Sequence, residues 1–144
     1  MVHPVQTPEI LLVEDNEADV KLTRLHFARS KLANQLHVAS TGEEAIQYLR
    51  STNGHPVPDL VLLDLNLPGI SGHGVLEFIK EDDRLRSIPV VILTSSQAEA
   101  DVRDSYRLHA NAFVTKPVTL EGLGALVKSL EDFWFTMVRL PSST

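Results

Sequence analysis

The sequence predicts one α/β domain in which helices cover both faces of a parallel sheet. Five short segments rich in aliphatic and β-branched residues recur along the 144 residues, and segments with helical spacing separate them. Three of the five are continuously apolar rather than alternating, which is typical of strands buried on both faces. Because parallel neighbours need right-handed helical crossovers, this alternation favours a doubly wound fold.

The first strand, EILLVED, begins at Glu9, and a helix follows it that Asn16 can cap. The negative charge of Asp19 stabilises the amino end of this helix by interacting with the helix dipole. Apolar residues recur there every three or four positions and predict one buried stripe. The stripe consists of Ala18, Leu22, Leu25, Ala28 and Leu32.

The second strand, QLHVAS, leads into the helix STGEEAIQYL. A capping box begins this helix, formed by Ser40 with Glu43 or by Thr41 with Glu44. The remaining strands are DLVLLDL, IPVVILTSS and AFVTKP, and the remaining helices are GHGVLEFIKED, SQAEADVRDSYRLH and TLEGLGALVKSLEDFWFTMV. Residues 51–59, STNGHPVPD, form a surface loop.

Composition limits the class of protein. A formal net charge of -6 argues against broad contact with nucleic acid, and the absence of cysteine fits a reducing compartment. The amino terminus has no signal-peptide pattern, and the apolar runs are too short to span a membrane. We therefore expect a soluble cytoplasmic protein with one domain over 1–144, a core at about 8–130, a C-terminal helix extension with a tail at 131–144, and no output domain.

Polar side chains follow four of the predicted strands. They are Glu14 and Asp15, then Asp64, then Thr94 to Ser96, and finally Lys116. The carboxyl ends of parallel strands share one edge of the sheet, where ligands bind in the crevice. The sequence therefore predicts an acidic pocket bordered by hydroxyls and a lysine.

Neighbouring carboxylates repel one another unless a cation joins them, and Mg²⁺ binds such acids together with water and a substrate phosphate. A remaining carboxylate can then attack phosphorus and form an acyl phosphate. Lys116 and Thr94 would stabilise the transferred group. Each residue also has a simpler interpretation: Asp15 as part of a cap, Asp64 before a turn, Thr94 as a cap, and Lys116 as a solvated charge. Their common location at one edge favours a site.

Four segments in this order resemble the receiver domains of two-component response regulators. They are VED at 13–15, LLDLNLPGISG at 62–72, VVILTSS at 90–96 and TKP at 115–117. The resemblance implies a flavodoxin-like (βα)5 sheet with strand order 2-1-3-4-5. It makes Asp64 the phosphoacceptor, with Asp15 binding Mg²⁺ (or Mn²⁺) directly and Glu14 through water. Asn66 would offer its backbone carbonyl to the cation and its side chain to the attacking water.

The same resemblance assigns roles to the residues on the opposite side of the pocket. Thr94 matches the hydroxyl switch, Lys116 the lysine that pairs with the phosphoryl group, and Pro117 a residue after a cis peptide bond. Two positions depart from the common pattern: Glu14 replaces aspartate, and Phe113 replaces the tyrosine of the aromatic switch. Phe113 cannot donate a hydroxyl hydrogen bond, and its interpretation as ordinary core stays open.

Within this family the chain resembles standalone receivers that partner phytochrome-type histidine kinases, through LVEDNEAD, SYRLHANAFVTKPV and EDFWFTMVRLP. The resemblance implies a sensor histidine kinase partner, such as a bacteriophytochrome. It also implies that the protein is a signalling domain rather than an enzyme, with self-catalysed phosphotransfer and autodephosphorylation. The surface of the fourth helix, fifth strand and fifth helix (α4-β5-α5) would signal to an unidentified protein. A second apolar stripe on the terminal helix, formed by Leu126, Phe133 and Leu140, predicts a homodimer interface or a contact with its own domain.

Three other functions compete with this interpretation. An aspartyl-nucleophile phosphohydrolase of the haloacid dehalogenase type would need an acid at position 66, where asparagine cannot transfer the proton. A flavodoxin-like cofactor binder would need a first loop that cradles phosphate, and EDNEAD would repel it. A phosphorelay intermediate or phosphate sink would use the same site, so the sequence leaves it open.

Overall fold

The computed structural model describes residues 8–29, 34–51, 57–94 and 112–115, together with Gly124, Ala125, Lys128, Ser129 and Asp132 of a C-terminal helix. The elements are β1 (Glu9–Val13), α1 (Glu17–Ala28), β2 (Gln35–Ala39), α2 (Gly42–Arg50), β3 (Leu60–Leu63), α3 (Gly72–Glu81), β4 (Val90–Thr94) and β5 (Ala112–Thr115). The predicted helix SQAEADVRDSYRLH lies outside the described residues. Among those residues, no helix combines the length and hydropathy needed to cross a lipid bilayer.

The five strands form one parallel sheet in the order β2-β1-β3-β4-β5. The predicted fold and strand order are therefore confirmed. β1 pairs with β2 on one side and β3 on the other, so the connections reverse direction between β1 and β3. In open α/β sheets this reversal leaves a crevice at the carboxyl ends of the two strands.

Both faces of the sheet are buried at its central strands β1 and β3, as their continuously apolar sequences predict. In β1, Leu11 and Val13 belong to one apolar cluster, whereas Ile10 and Leu12 belong to another. β3 divides in the same way, because successive side chains of a strand point to opposite faces. The strand ends are thus held rigidly from above and below, which positions whatever follows them.

The predicted buried stripe of α1 is wrong. Leu25 is 40% exposed, Ala18 and Ala28 are also exposed, and Leu22 is half-buried, while Leu32 lies outside the described residues. Thr23 and Phe27 are buried instead. Phe27 packs with the cluster that contains Ile10 and Leu12, and this large ring sets the rotation of the helix. Thr23 tolerates burial because its hydroxyl donates to the carbonyl of Asp19 at 2.7 Å.

The caps of the helices follow the sequence closely. The side chain of Asn16 accepts the Asp19 amide at the start of α1, as predicted. For α2 the second alternative is realised, since Thr41 Oγ1 accepts the Glu44 amide at 3.0 Å. Glu44 Oε2 then accepts the Ser40 amide at 2.7 Å, one residue earlier than an ordinary capping box. The start of α2 is therefore well fixed.

Tyr48 on α2 provides a prediction about the pH dependence of stability. Its ring lies 5.4 Å from that of His37, and burial, followed by the charge of Glu9, raises the pKa of its phenol above 10.0. Above pH 10.0 the unfolded chain loses this proton before the folded chain does, so Tyr48 makes stability fall with rising pH. Tyr48→Phe should reduce that decline in urea denaturation compared across this range, and an identical decline in both proteins would contradict the assignment.

Candidate functional site

The backbone of the sheet fixes two acids at the crevice between β1 and β3. The amide of Glu14, directly after β1, donates to the carbonyl of Ala39 at 2.9 Å. The amide of Asp64, directly after β3, donates to the carbonyl of Val13 at 3.0 Å. Both bonds continue the parallel ladder one residue past the assigned strands, so these two backbones are held as firmly as the sheet itself.

Three carboxylates converge at this point. Each of Glu14, Asp15 and Asp64 offers an oxygen, and these oxygens all lie within 4.8 Å of one another. Glu14 and Asp64 are only 3% and 5% exposed, whereas Asp15 is exposed to solvent. Burying like charges together is costly unless a cation compensates them, and hard oxygen donors are the ligands that Mg²⁺ and Mn²⁺ prefer. The donor set therefore fits a divalent cation that solvent can reach through Asp15.

Backbone amides orient two of these carboxylates. The amide of Asn16 donates to Glu14 Oε2 at 3.2 Å, and the amide of Asn66 donates to Asp64 Oδ1 at 2.9 Å. In each case an acid is held by the amide two residues later, which limits the rotation of its side chain. Such preorganisation suits ligands that must act at a fixed position.

The start of α3 packs directly on the backbone of Asp64. The amide of Gly72 donates to the carbonyl of Leu65 at 3.2 Å. A Cβ at Gly72 would collide with the carbonyl oxygen of Asp64 and would lie 2.6 Å from the Cα of Leu65. Ser71 caps the helix by accepting the Gly74 amide at 3.3 Å. Glycine at 72 thus allows the helix to approach the site closely.

The other predicted residues lie partly or wholly outside the described part of the chain. β4 ends at Thr94, which pairs with Thr115 of β5, and Phe113 pairs with Ile92. The backbones of Thr94 and Phe113 are thereby placed in the sheet, and their side chains lie outside the described residues. The predictions for Lys116 and Pro117, including the cis bond, also fall outside them. The same holds for the proposed dimer residues Leu126, Phe133 and Leu140.

One contact near the site was not predicted. Glu43, considered in the sequence only as a capping residue, accepts the amide of Ile70 at 2.8 Å through Oε1. Gly69, the preceding residue, has a φ of 71°, a conformation that glycine adopts without strain. Pro68 and Gly69 in LPGISG are the sequence signal of a turn there, and they do not identify the partner of the Ile70 amide.

Comparisons with known proteins agree with this architecture. A family model described as the response regulator receiver domain matches residues 10–128. FilR2 of Methanothrix harundinacea (strain 6Ac), a probable methanogenesis regulatory protein, is 40% identical over 92% of this chain and 86% of its own length. Response regulator Rcp1 of Synechocystis (strain ATCC 27184 / PCC 6803 / Kazusa) is 41% identical over 93% of each chain.

Solved structures give the same result. The phosphorylated cyanobacterial phytochrome response regulator RcpA has a TM-score of 0.85 and 41% identity, over 92% of this chain and 96% of that one. The Mn²⁺-bound form of response regulator Rcp1 has a TM-score of 0.81 and 41% identity, over 88% of this chain and 94% of that one. The resemblance to phytochrome-associated response regulators, inferred from sequence motifs, is thus confirmed.

Proposed function

Since this chain belongs to the response regulator receiver domain family, we propose that it accepts a phosphoryl group from a histidine kinase on Asp64. The observation that carries the proposal is the convergence of Glu14, Asp15 and Asp64 within 4.8 Å at the carboxyl ends of β1 and β3. An acid cluster at this crevice serves cation binding and phosphoryl transfer better than it serves helix capping alone, because two of its members are buried.

In the proposed reaction, a carboxylate oxygen of Asp64 attacks the phosphorus of a phosphohistidine. The new P–O bond forms an acyl phosphate as the P–N bond to the imidazole breaks. Asp15 and Glu14 would hold Mg²⁺ or Mn²⁺, directly and through water respectively, together with Asp64 and the backbone carbonyl of Asn66. The cation, when bound, neutralises charge on the phosphoryl oxygens. Support for a divalent cation comes from the oxygen donor set and the Mn²⁺-bound relative.

The remaining roles are proposals that follow from the family. Lys116 and the hydroxyl of Thr94 would stabilise the phosphoryl group, and Pro117 would aim the lysine. Movement of Thr94 toward the phosphate would reposition Phe113 and change the population of signalling conformations of the surface predicted for the fourth helix, the fifth strand and the fifth helix. The position of Thr94 at the end of β4, the neighbour of β3, supports its part in this scheme.

The proposed phosphodonor is a sensor histidine kinase of the phytochrome type, because RcpA, a phytochrome response regulator, is a relative. The downstream protein is not identified, and a relay intermediate or phosphate sink would use the same site. Homodimerisation through Leu126, Phe133 and Leu140, the cytoplasmic location and a single domain over 1–144 stay predictions. Sedimentation that shows a monomer at high concentration, with and without phosphorylation, would contradict the dimer.

Incubation with a small acyl-phosphate donor, followed by intact mass measurement, tests the function. We expect one phosphoryl adduct in Mg²⁺ and little in a chelator, because the acids need a cation before an anionic donor can approach. Equal labelling with and without the cation would contradict the proposed site. Sustained turnover of many phosphate esters would indicate a hydrolase instead.

A further inference from the structure

We propose that Glu43, in the first turn of α2, is a positioning residue for the cation site. It would act by holding the loop that follows Asp64, residues 65–71, in the conformation that presents the Asn66 carbonyl. The inference rests on the proposed function of Asp64 and adds to the site a residue from a different helix. It does not require Glu43 to touch the cation or the phosphoryl group.

The first support is a direct contact between Glu43 and the second half of the loop. Glu43 Oε1 accepts the amide of Ile70 at 2.8 Å, across 27 positions of sequence. The same carboxylate packs against Gly69, where a Cβ would lie 2.6 Å from Oε1. Only a residue without a side chain leaves room for this approach, and its φ of 71° lies in the left-handed region that favours glycine.

The second support is that the backbone of α2 also touches this loop. A Cβ at Gly42 would collide with the carbonyl oxygen of Ile70, so the two main chains are in van der Waals contact. Thr41 caps α2 at this end and fixes its first turn. Glu43 therefore lies in a well-fixed helical turn, and its hydrogen bond restricts the movement of Ile70.

The third support is the way the loop is attached elsewhere. At its start the amide of Asn66 donates to Asp64 Oδ1, and at its end the amide of Gly72 donates to the carbonyl of Leu65. Glu43 provides a third attachment between these two. Loss of this attachment would let the second half of the loop move, and the Asn66 carbonyl would move with it. Residues that orient metal ligands typically change cation affinity by about 10–100-fold when they are replaced.

Glu44 offers a matched control for the charge of Glu43. Both residues lie in the first turn of α2, both are exposed, and both accept a backbone amide through a carboxylate. Glu44, however, binds Ser40 and makes no contact with the loop among the described hydrogen bonds. Glu44→Ala and Glu43→Ala therefore remove the same charge from nearly the same place, while only the second frees Ile70.

The experiment measures Mn²⁺ affinity by the loss of the paramagnetic resonance signal of free Mn²⁺, which needs no phosphorylation. We expect Glu43→Ala to weaken affinity by about tenfold. We expect Glu43→Gln, which retains an Oε1 acceptor for the Ile70 amide, and Glu44→Ala to stay close to wild type. If Glu43→Ala resembles Glu44→Ala, the contact with Ile70 has no specific effect on affinity, and if Glu43→Gln is as weak as Glu43→Ala, charge alone explains the loss. Either result contradicts the proposal.

Gly69→Ala provides a second, independent test that does not alter any acid. Its methyl group would displace the Glu43 carboxylate and strain a backbone with positive φ, so we expect a similar loss of Mn²⁺ affinity. Thermal unfolding without metal shows whether Glu43→Ala or Gly69→Ala has lost its fold. If one of them has, the Mn²⁺ affinity of the other variant tests the role of Glu43. Wild-type affinity in a folded Gly69→Ala protein would overturn the proposal.

The measurements distinguish a wrong role for Glu43 from a wrong function for Asp64. Wild-type protein that binds no Mn²⁺ and forms no acyl-phosphate adduct would overturn both. Wild-type protein that does both, together with a folded Glu43→Ala variant of unchanged affinity, would overturn only the role of Glu43. Asp15→Asn supplies the reference for a damaged site, because it alters a proposed direct ligand.

Discussion

Replacement of Asp64 by asparagine is expected to abolish the phosphoryl adduct formed with a small acyl-phosphate donor in Mg²⁺. The amide lacks the anionic oxygen that attacks phosphorus, and it also removes one of the three acids that converge within 4.8 Å. Asparagine retains an oxygen that can accept the Asn66 amide, so the local turn should persist. Intact mass measurement should therefore show a folded protein without the adduct.

Asp59→Asn is the matched control for this change. Asp59 lies at the opposite end of β3, is exposed, and accepts the amide of Glu9 at 2.8 Å. The two substitutions alter net charge equally, at the two ends of the same strand. We expect Asp59→Asn to form the adduct as wild type does. An adduct that persists in Asp64→Asn would place the phosphoacceptor elsewhere.

Gly72→Ala is expected to lower stability and to slow adduct formation together. The new Cβ would lie 2.6 Å from the Cα of Leu65 and would collide with the carbonyl of Asp64, so a main chain must shift. Overpacking of this kind typically costs about 1–3 kcal/mol. Because the displaced backbone carries Asp64, the nucleophile should move as well. Urea denaturation and the rate of labelling measure the two effects.

Gly74→Ala lies in the same helical turn and should behave in the opposite way. The nearest atom to its Cβ is Cγ2 of Ile70 at 2.8 Å, so the new methyl group meets a side chain that is 38% exposed rather than a main chain. Alanine favours a helix over glycine by up to about 1 kcal/mol. We therefore expect unchanged or slightly higher stability and normal labelling. Equal destabilisation by both substitutions would contradict the close packing assigned to Gly72.

The strands and the acidic cluster could be predicted because each follows from a strong local pattern. Continuous apolar runs such as 60–63 mark strands buried on both faces, and a parallel sheet brings the residues after them to one edge. This pattern predicts that Glu14, Asp15 and Asp64 lie together, and their carboxylates do converge.

Two features could not be predicted because they depend on the tertiary contacts of single residues. The rotation of α1 follows from where Phe27 packs, and the alternative stripe through Leu25 was equally regular in sequence. Glu43 contacts the main-chain amide of Ile70, and a backbone group leaves no pattern of residue types. A short polar helix start and a glycine-containing loop are each ordinary, and only the folded chain places them together.

The ladder bonds at Glu14 and Asp64 have a consequence for the thermodynamics of ligand binding. Fixing the backbone of one residue costs about 1–2 kcal/mol in conformational entropy. At these two acids the cost is met during folding, since their amides pair with Ala39 and Val13 in the sheet. Binding of a cation then costs no further backbone entropy at these two residues, and the loop after Asp64, held in part by the contact with Glu43, lies outside this framework. Affinity can therefore be changed through that loop without disturbing the framework that holds the acids.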